Sequence, residues 1–319
     1  MTGVVEIIIC GSRSEWLAKR RALRSTGASQ ATAILGESQY GTARSLFHEC
    51  RGEIEPEDVD SDAAYWGTVL EEPIRAHALK VLGATNLCYH SAFEIRKRGL
   101  QHATLDGIIS EPTRQIIELF DGMDEGYTPT GEGVLEVKTA SQYLSSRWND
   151  AEQDWPLPYQ IQTQQQLAVT GYEWGIAAAL IGGQRFTMRP FRAHQEFQAR
   201  LAQAIEEFWH AVDSGTPPEI DGSESNIKLL KRLHPDDNGS EVSLPVDFCG
   251  LDDDLVSLKV DRKEIKDQID DLEAKIKAKI GGSTFGSLPT GASYSWKSQT
   301  RREYTVPEST FRVLRRHKA

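Results

Sequence analysis

Val134-Leu135-Glu136-Val137-Lys138 reads as a short β-strand in which apolar and charged side chains alternate. Residues two apart on a strand share a face, so Glu136 and Lys138 stand side by side while Leu135 and Val137 face the other way. Upstream, Leu105-Asp106-Gly107 places an aspartate at a strand end beside a flexible glycine. Downstream, Tyr159 to Val169 is a glutamine-rich helix that stops at Gly171, with Gln162 and Gln166 four apart on one face. Glutamines in a helix that is apolar at Leu167 and Val169 are costly in a core unless they meet a polar site.

A carboxylate and an ammonium on one strand make a compact tool for phosphodiesters. The carboxylate is a hard oxygen ligand for Mg²⁺, and the lysine positions or helps deprotonate a water and offsets charge on the phosphate. A second carboxylate, Asp106, would converge on the same ion, giving the pattern Asp-x(29)-Glu-x-Lys. Each motif alone is ordinary, because Asp-Gly marks turns and Glu-x-Lys occurs on any solvated strand. Context adds weight: Trp66, Val69, Leu70, Ile74, Ala78, Val81 and Leu82 recur at helical spacing, so Glu71 and Glu72 lie in or beside a buried helix and one of them points inward.

Working outward, Trp16 to Arg24 is a basic helical stretch and another helix begins near Ser29. From Ala103 onward the pattern is extended, with the β-branched and apolar run Ile116, Ile117, Leu119, Phe120 before a loop to Gly133. Gly131-x-Gly133 reads as a hairpin turn. Ile176 to Ile181 is a buried strand or short helix and Phe186 to Phe191 a strand. A long helix then runs from about His194 to Val212. This alternation means an α/β fold with a central mixed sheet flanked by helices. Pro217-Pro218 and Asp236 to Ser240 loosen the chain, and we divide it into 1–248 and 249–319. In the second part Leu258, Ile265, Ile269, Leu272 and Ile276 form a near-heptad stripe on an exposed helix. A Gly/Ser-rich loop follows, then a basic tail with seven Lys or Arg against two Glu from Ser293 onward. Its aromatics, Tyr294, Trp296, Tyr304 and Phe311, suit a nucleic-acid surface.

A length of 319 residues with 39% hydrophobic and 26% charged residues argues for a folded chain rather than disorder. The net charge of -11 rules out an evenly basic coat, yet leaves room for a local basic surface. Cys10, Cys50, Cys88 and Cys249 stand apart and read as free thiols of a reducing cytoplasm. No apolar run reaches membrane-spanning length, no basic-then-apolar leader opens the chain, and no P-loop, HExxH or GxSxG pattern occurs.

Over roughly Trp16 to Trp209 the sequence resembles the lambda-type exonucleases and YqaJ-like viral recombinases of the PD-(D/E)xK nuclease superfamily. The residues that carry the resemblance run in order: Trp16-x-x-x-Arg20, Gly27-Ala28-Ser29, Trp66-Gly67-Thr68-Val69-Leu70-Glu71, Leu105-Asp106-Gly107, Leu135-Glu136-Val137-Lys138 and Tyr159 to Gln166. The resemblance implies a restriction-endonuclease-like core with a helical and basic C-terminal appendage. It implies Asp106, Glu136 and the Val137 carbonyl as ligands of Mg²⁺, for which Mn²⁺ could substitute. Lys138 would orient the water, Gln162 would support that lysine, and Glu71 would reach the metals. It also implies a 5′-phosphate pocket built from Arg20 and Ser29. The interval between those two is about two residues longer than the family pattern, which leaves Arg21 or Arg24 open for the arginine.

The function implied is Mg²⁺-dependent exonuclease action on double-stranded DNA ends, 5′ to 3′, in phage-type recombination. With it come a single-strand annealing protein as partner, a homo-oligomeric ring such as a trimer, no membrane, and the cytoplasm of a bacterial or phage-infected cell. The rivals are a RecB-like or restriction-type endonuclease and a non-catalytic DNA-binding recombination adaptor.

Overall fold

The structure, a computed structural model, describes residues 4–56, 61–84, 93–122, 126–148, 155–303, 308 and 311–317. It divides into two compact units, Met1–His234 and Pro235–Ala319. The first opens with β1 (Glu6–Ile9), α1 (Arg13–Ala22), β2 (Thr26–Gly27), α2 (Ala31–Ile34), α3 (Ala43–Cys50) and α4 (Asp62–Leu82). Next come β3 (Glu94–Arg98), β4 (Gln101–Ala103), β5 (Gly107–Ile109), α5 (Arg114–Asp121), β6 (Gly133–Ala140) and a 3-10 turn at Gln142–Arg147. The unit closes with α6 (Leu157–Thr170), β7 (Trp174–Ile181), β8 (Arg185–Arg192), α7 (Gln195–Ser214) and α8 (Glu224–Leu233).

Two four-stranded mixed sheets result, ordered β1-β3-β4-β2 and β5-β6-β7-β8. In the second sheet β6 runs parallel to β7 and antiparallel to β5, and β8 closes the far edge antiparallel. Alternation along β6 sorts its side chains as the strand period demands. Leu135 and Val137 join Ile74, Ala78 and Leu82 of α4, Ile116 and Phe120 of α5, and Trp174. Val134 joins Trp148, Trp155, Leu167 and Val169 on the opposite side, where α6 lies. A third cluster, with Phe47, Ile161, Leu201, Ile205, Phe208 and Trp209, holds α3 and α7 against α6.

Several readings of the sequence change. The run Ile116 to Phe120 is helical, not extended: Thr113 accepts from the Ile116 N–H as an N-cap, and Ile116 and Phe120, four apart, form its buried face. The buried face of α4 is narrower than its apolar spacing suggests, since Ile74, Ala78 and Leu82 are buried while Trp66, Val69 and Val81 are exposed. Gly131-x-Gly133 is not a hairpin turn. Gly131 turns the chain at φ +64°, and Gly133 starts β6 where a Cβ would stand 2.5 Å from the Trp174 ring. Helices α3 and α8 lay outside the periodicity reading. Cys10 is buried, Cys50 exposed and both are free thiols, while Cys88 lies outside the described residues.

The second unit consists of α9 (Phe248–Ile280), an exposed helix, and a hairpin of β9 (Phe285–Ser287) with β10 (Ser293–Ser295). The Gly/Ser-rich segment is thus partly a hairpin rather than a loop. Tyr304 and Lys318 of the basic tail fall outside the described residues. Among the described residues no helix is long and apolar enough to cross a membrane.

Candidate active site

The register of β5 on β6 pairs Gly107 with Leu135. Asp106, one residue before, therefore falls opposite Glu136, where β6 has outrun its neighbour. Its Oδ2 accepts the Val137 N–H at 2.7 Å. A strand residue sends its N–H and C=O from the same edge, so the Val137 carbonyl leaves β6 on the side of Asp106. Two carboxylates and one carbonyl thus converge on the edge of β6 that β5 leaves open.

Glu136 is almost wholly buried and held from three directions. Gln162 donates to Oε1 at 2.6 Å, Gln166 donates to Oε2, and Lys138 donates its ammonium to Oε1. The glutamine face of α6 has its polar site. Gln165, one position aside, donates to the carbonyls of Thr26 and His102, and Gln164 donates to the Arg192 carbonyl. Each of these four glutamines gives its amide nitrogen a named acceptor, while the buried amide oxygens of Gln165 and Gln166 meet no partner among the described residues.

Glu71 approaches from α4, half-buried, with Arg75 donating to its Oε1 at 3.3 Å. Glu71 is the inward member of the pair, and the helix also turns Arg75 inward, which is buried and donates to the Asp106 carbonyl at 3.0 Å. Glu72 is the more exposed member of the pair, and its carboxylate also meets the guanidinium of Arg75.

Electrostatics follow from crowding. Burial, then Glu136, then Glu71 push the Asp106 carboxyl well above the usual carboxylate range, against the partial relief of Lys138 and the Val137 N–H. Burial also raises Glu71. Burial works against the Lys138 ammonium, but Glu136 and Asp106 outweigh it and hold its pKa above the ordinary lysine value. Three carboxylates facing one ammonium and one guanidinium leave an excess of negative charge that a divalent cation would relieve.

Among the described residues no three His, Cys, Asp or Glu side chains are assembled into a metal cage. The donor set is all oxygen: Asp106, Glu136 and the Val137 carbonyl, with Glu71 beyond. This fits Mg²⁺, which is bound through one or two carboxylates and keeps several waters.

The candidate phosphate residues lie on α1 and the turn after it. The guanidinium of Arg20 stacks over Trp16 at 4.5 Å, and no ion pair reaches it among the described residues. Burial lowers its pKa. Arg24 is committed elsewhere, paired with Asp213 and 5.4 Å above the Trp209 ring, and Arg21 is exposed. Ser29 is exposed at the entry to α2. Between Arg20 and Ser29 comes Gly27, where a Cβ would stand 3.2 Å from Arg20 Nη2 and 3.0 Å from His102 Nε2.

His102 is a residue the sequence reading missed. It is buried, its Nδ1 meets the Ser25 hydroxyl at 2.9 Å, and its Nε2 has no partner among the described residues. Burial, then Arg20, push its pKa down to about 3. Only its place four residues before Asp106 could have drawn attention to it. Trp16 donates to Thr104 at 2.9 Å, which ties α1 to the segment that leads into Asp106.

Residues 15–173 match the YqaJ-like viral recombinase domain. A Bacillus subtilis (strain 168) protein, YqaJ, itself described as uncharacterised, is 28% identical over 284 residues, spanning 87% of this chain and 81% of that protein. Among solved structures, the alkaline exonuclease LHK-Exo of Laribacter hongkongensis is 18% identical. In complex with dAMP it covers 69% of this chain and 96% of its own, with a TM-score of 0.45. SSO0001 is 14% identical, covers 62% and 87%, and has a TM-score of 0.33.

Proposed function

The chain belongs to the YqaJ-like viral recombinase family through residues 15–173, and from that premise we propose that it is a Mg²⁺-dependent exonuclease acting on double-stranded DNA ends. The observation that carries this reading is the convergence of Asp106, Glu136 and the Val137 carbonyl beside Lys138 at the edge of β6 that β5 leaves open. Mg²⁺ bound there would act as a Lewis acid on the phosphate and acidify the attacking water. Lys138, on the same strand face as Glu136, positions that water and offsets developing charge. Gln162 and Gln166 fix the rotamer of Glu136, and Arg75 orients Glu71.

Arg20, half-buried and reached by no carboxylate among the described residues, serves as the 5′-phosphate anchor in this reading, with Ser29 at the pocket's edge, and so favours digestion from 5′ to 3′. The setting is phage-type recombination in the cytoplasm of a bacterial or phage-infected cell, alongside a single-strand annealing protein and in a ring-forming oligomer. An adaptor without activity is disfavoured because Asp106, Glu136 and Lys138 are all present and assembled.

The test is a linear duplex labelled at either end, with and without 5′-phosphate, beside a covalently closed circle, in Mg²⁺ and in chelator. Mg²⁺-dependent loss of label from 5′-phosphorylated ends, with the circle intact, is the expected result. Cutting of the circle would move the reading to an endonuclease, and no cutting of any substrate to an adaptor.

A further inference from the structure

Helix α9 bears an apolar stripe that stays open to solvent: Leu251, Leu258, Ile265, Ile269 and Leu272 are 50–65% exposed. The stripe steps by alternating fours and threes through Leu251, Leu255, Leu258, Arg262, Ile265, Ile269, Leu272 and Ile276. That is a heptad seam with Leu255, Arg262, Ile269 and Ile276 at the a positions and Leu251, Leu258, Ile265 and Leu272 at d. The helix is 33 residues long, about 50 Å. We propose that α9 forms a two-stranded, parallel, in-register coiled coil with α9 of a second copy of this chain.

Charge complementarity selects the occupant and its direction. The positions that flank the seam are Asp254, Asp261, Gln268 and Lys275 at g, and Asp252, Lys259, Lys266 and Glu273 at e. In a parallel pair each g residue meets the e residue five positions on in the partner. Asp254 then faces Lys259 and Asp261 faces Lys266, each twice by symmetry, and Gln268 faces Glu273 without conflict. An antiparallel pair sets Lys259 against Lys266 and Asp252, itself held by Arg316, against Glu273, and gains only Asp254 against Lys275. The parallel orientation makes four attractive contacts by symmetry, whereas in the antiparallel one attraction and repulsion offset each other.

Two details fit. Lys266 pairs with Asp270 on its own helix, but both are exposed, and an exposed pair of this kind holds a side chain only weakly. Arg262, the one polar core residue of the seam, would lie beside Asp261 of the second copy. Any shift of register would press it against leucine or isoleucine, so it fixes the alignment at some cost in stability. Isoleucine at two of the a positions with leucine at three of the d positions favours two strands.

The test uses the full chain at low salt by sedimentation. Asp254→Lys with Asp261→Lys, and separately Lys259→Asp with Lys266→Asp, should each lower the mass of the wild-type assembly, and mixing the two variants in equal amounts should restore it. A mass shared by wild type, both variants and the mixture would overturn the proposal. Direction is read from Leu258→Cys under mild oxidation. A link between residue 258 of two copies, mapped by peptide mass, is expected for parallel strands, and its absence beside a restored mixture would overturn the parallel alignment.

Discussion

The Val137 N–H donates to Oδ2 of Asp106 at 2.7 Å, so the aspartate that ends one strand's approach is tied to the backbone of the strand that carries Glu136 and Lys138. This one bond converts a sequence interval of thirty residues into a common site. If the site holds the cation, Asp106→Asn and Glu136→Gln should lower Mg²⁺-dependent cleavage by roughly a hundredfold to a thousandfold or more. Lys138→Ala should be comparably impaired, because no other side chain on that face of β6 supplies an ammonium. Near-normal cleavage by either purified carboxylate variant would sink the assignment. Asp106→Asn carries a second expectation: folded Asp106 resists its charge, so melting in chelator at neutral pH should be no lower than wild type.

Gln166 was legible only as a glutamine sharing a face with Gln162, and the structure gives it the second oxygen of Glu136. Gln166→Leu removes that donor and frees the carboxylate to rotate. Groups that orient a metal ligand typically change affinity or activity tenfold to a hundredfold. The Mg²⁺ concentration for half-maximal cleavage should rise by about that factor while melting changes modestly. An unmoved Mg²⁺ midpoint would reduce Gln166 to a packing residue.

The sequence showed the strand of Glu136 and Lys138, the glutamine helix and the long charged helix because each carries its own local pattern: alternation, glutamines four apart, and a near-heptad stripe. Where it misled, a local signal competed with a tertiary one. Ile116 and Ile117 are β-branched and suggest a strand, but the Thr113 cap and the four-residue step to Phe120 prevail. Apolar spacing on α4 marked Trp66 and Val69 as core, although only one row of that helix meets the sheet. His102 was illegible because its role depends on β2 and β4 lying side by side, which brings it next to Gly27. The choice among the three arginines is open in sequence; in the structure Asp213 pairs with Arg24, while among the described residues no carboxylate reaches Arg20.

Arg20→Ala should erase the preference for 5′-phosphate over 5′-hydroxyl duplex ends, since a guanidinium binds phosphate through two hydrogen bonds and alanine through none. Arg24→Ala should keep it. The ratio of kcat/KM on the two ends reads this directly. A preference that survives Arg20→Ala would move the anchor elsewhere, and a wild type without preference would remove the pocket altogether.

Acid should weaken the fold through His102. Its folded pKa of about 3 lies below the unfolded value of 6.5, so the unfolded chain binds the proton more readily between those values. Stability from this group is complete above about pH 6.5 and is lost as pH falls toward 3. From pH 7 to pH 5 the loss amounts to about 2 kcal/mol. His102→Gln, which has no charge to gain, should lose less stability over the same interval in denaturant melts. Equal acid losses in the two proteins would show that His102 titrates normally.

The tail supplies the last expectation, on charge alone. Arg301, Arg302, Arg312 and Arg315 are exposed, whereas Arg316 is held by both oxygens of Asp252 and should not count. Each phosphate neutralised by a cation releases counterions, so log affinity falls with log salt at about 0.9 per contact on duplex DNA. Truncation after Lys297 leaves the β9–β10 hairpin in place and should flatten that slope by roughly two to four units on long duplex. Cleavage of a short bound end should survive, because Asp106, Glu136 and Lys138 all lie in the first unit. If the truncated chain, verified as folded, keeps the full slope, these arginines do not touch DNA and the basic tail serves solubility or a protein contact instead.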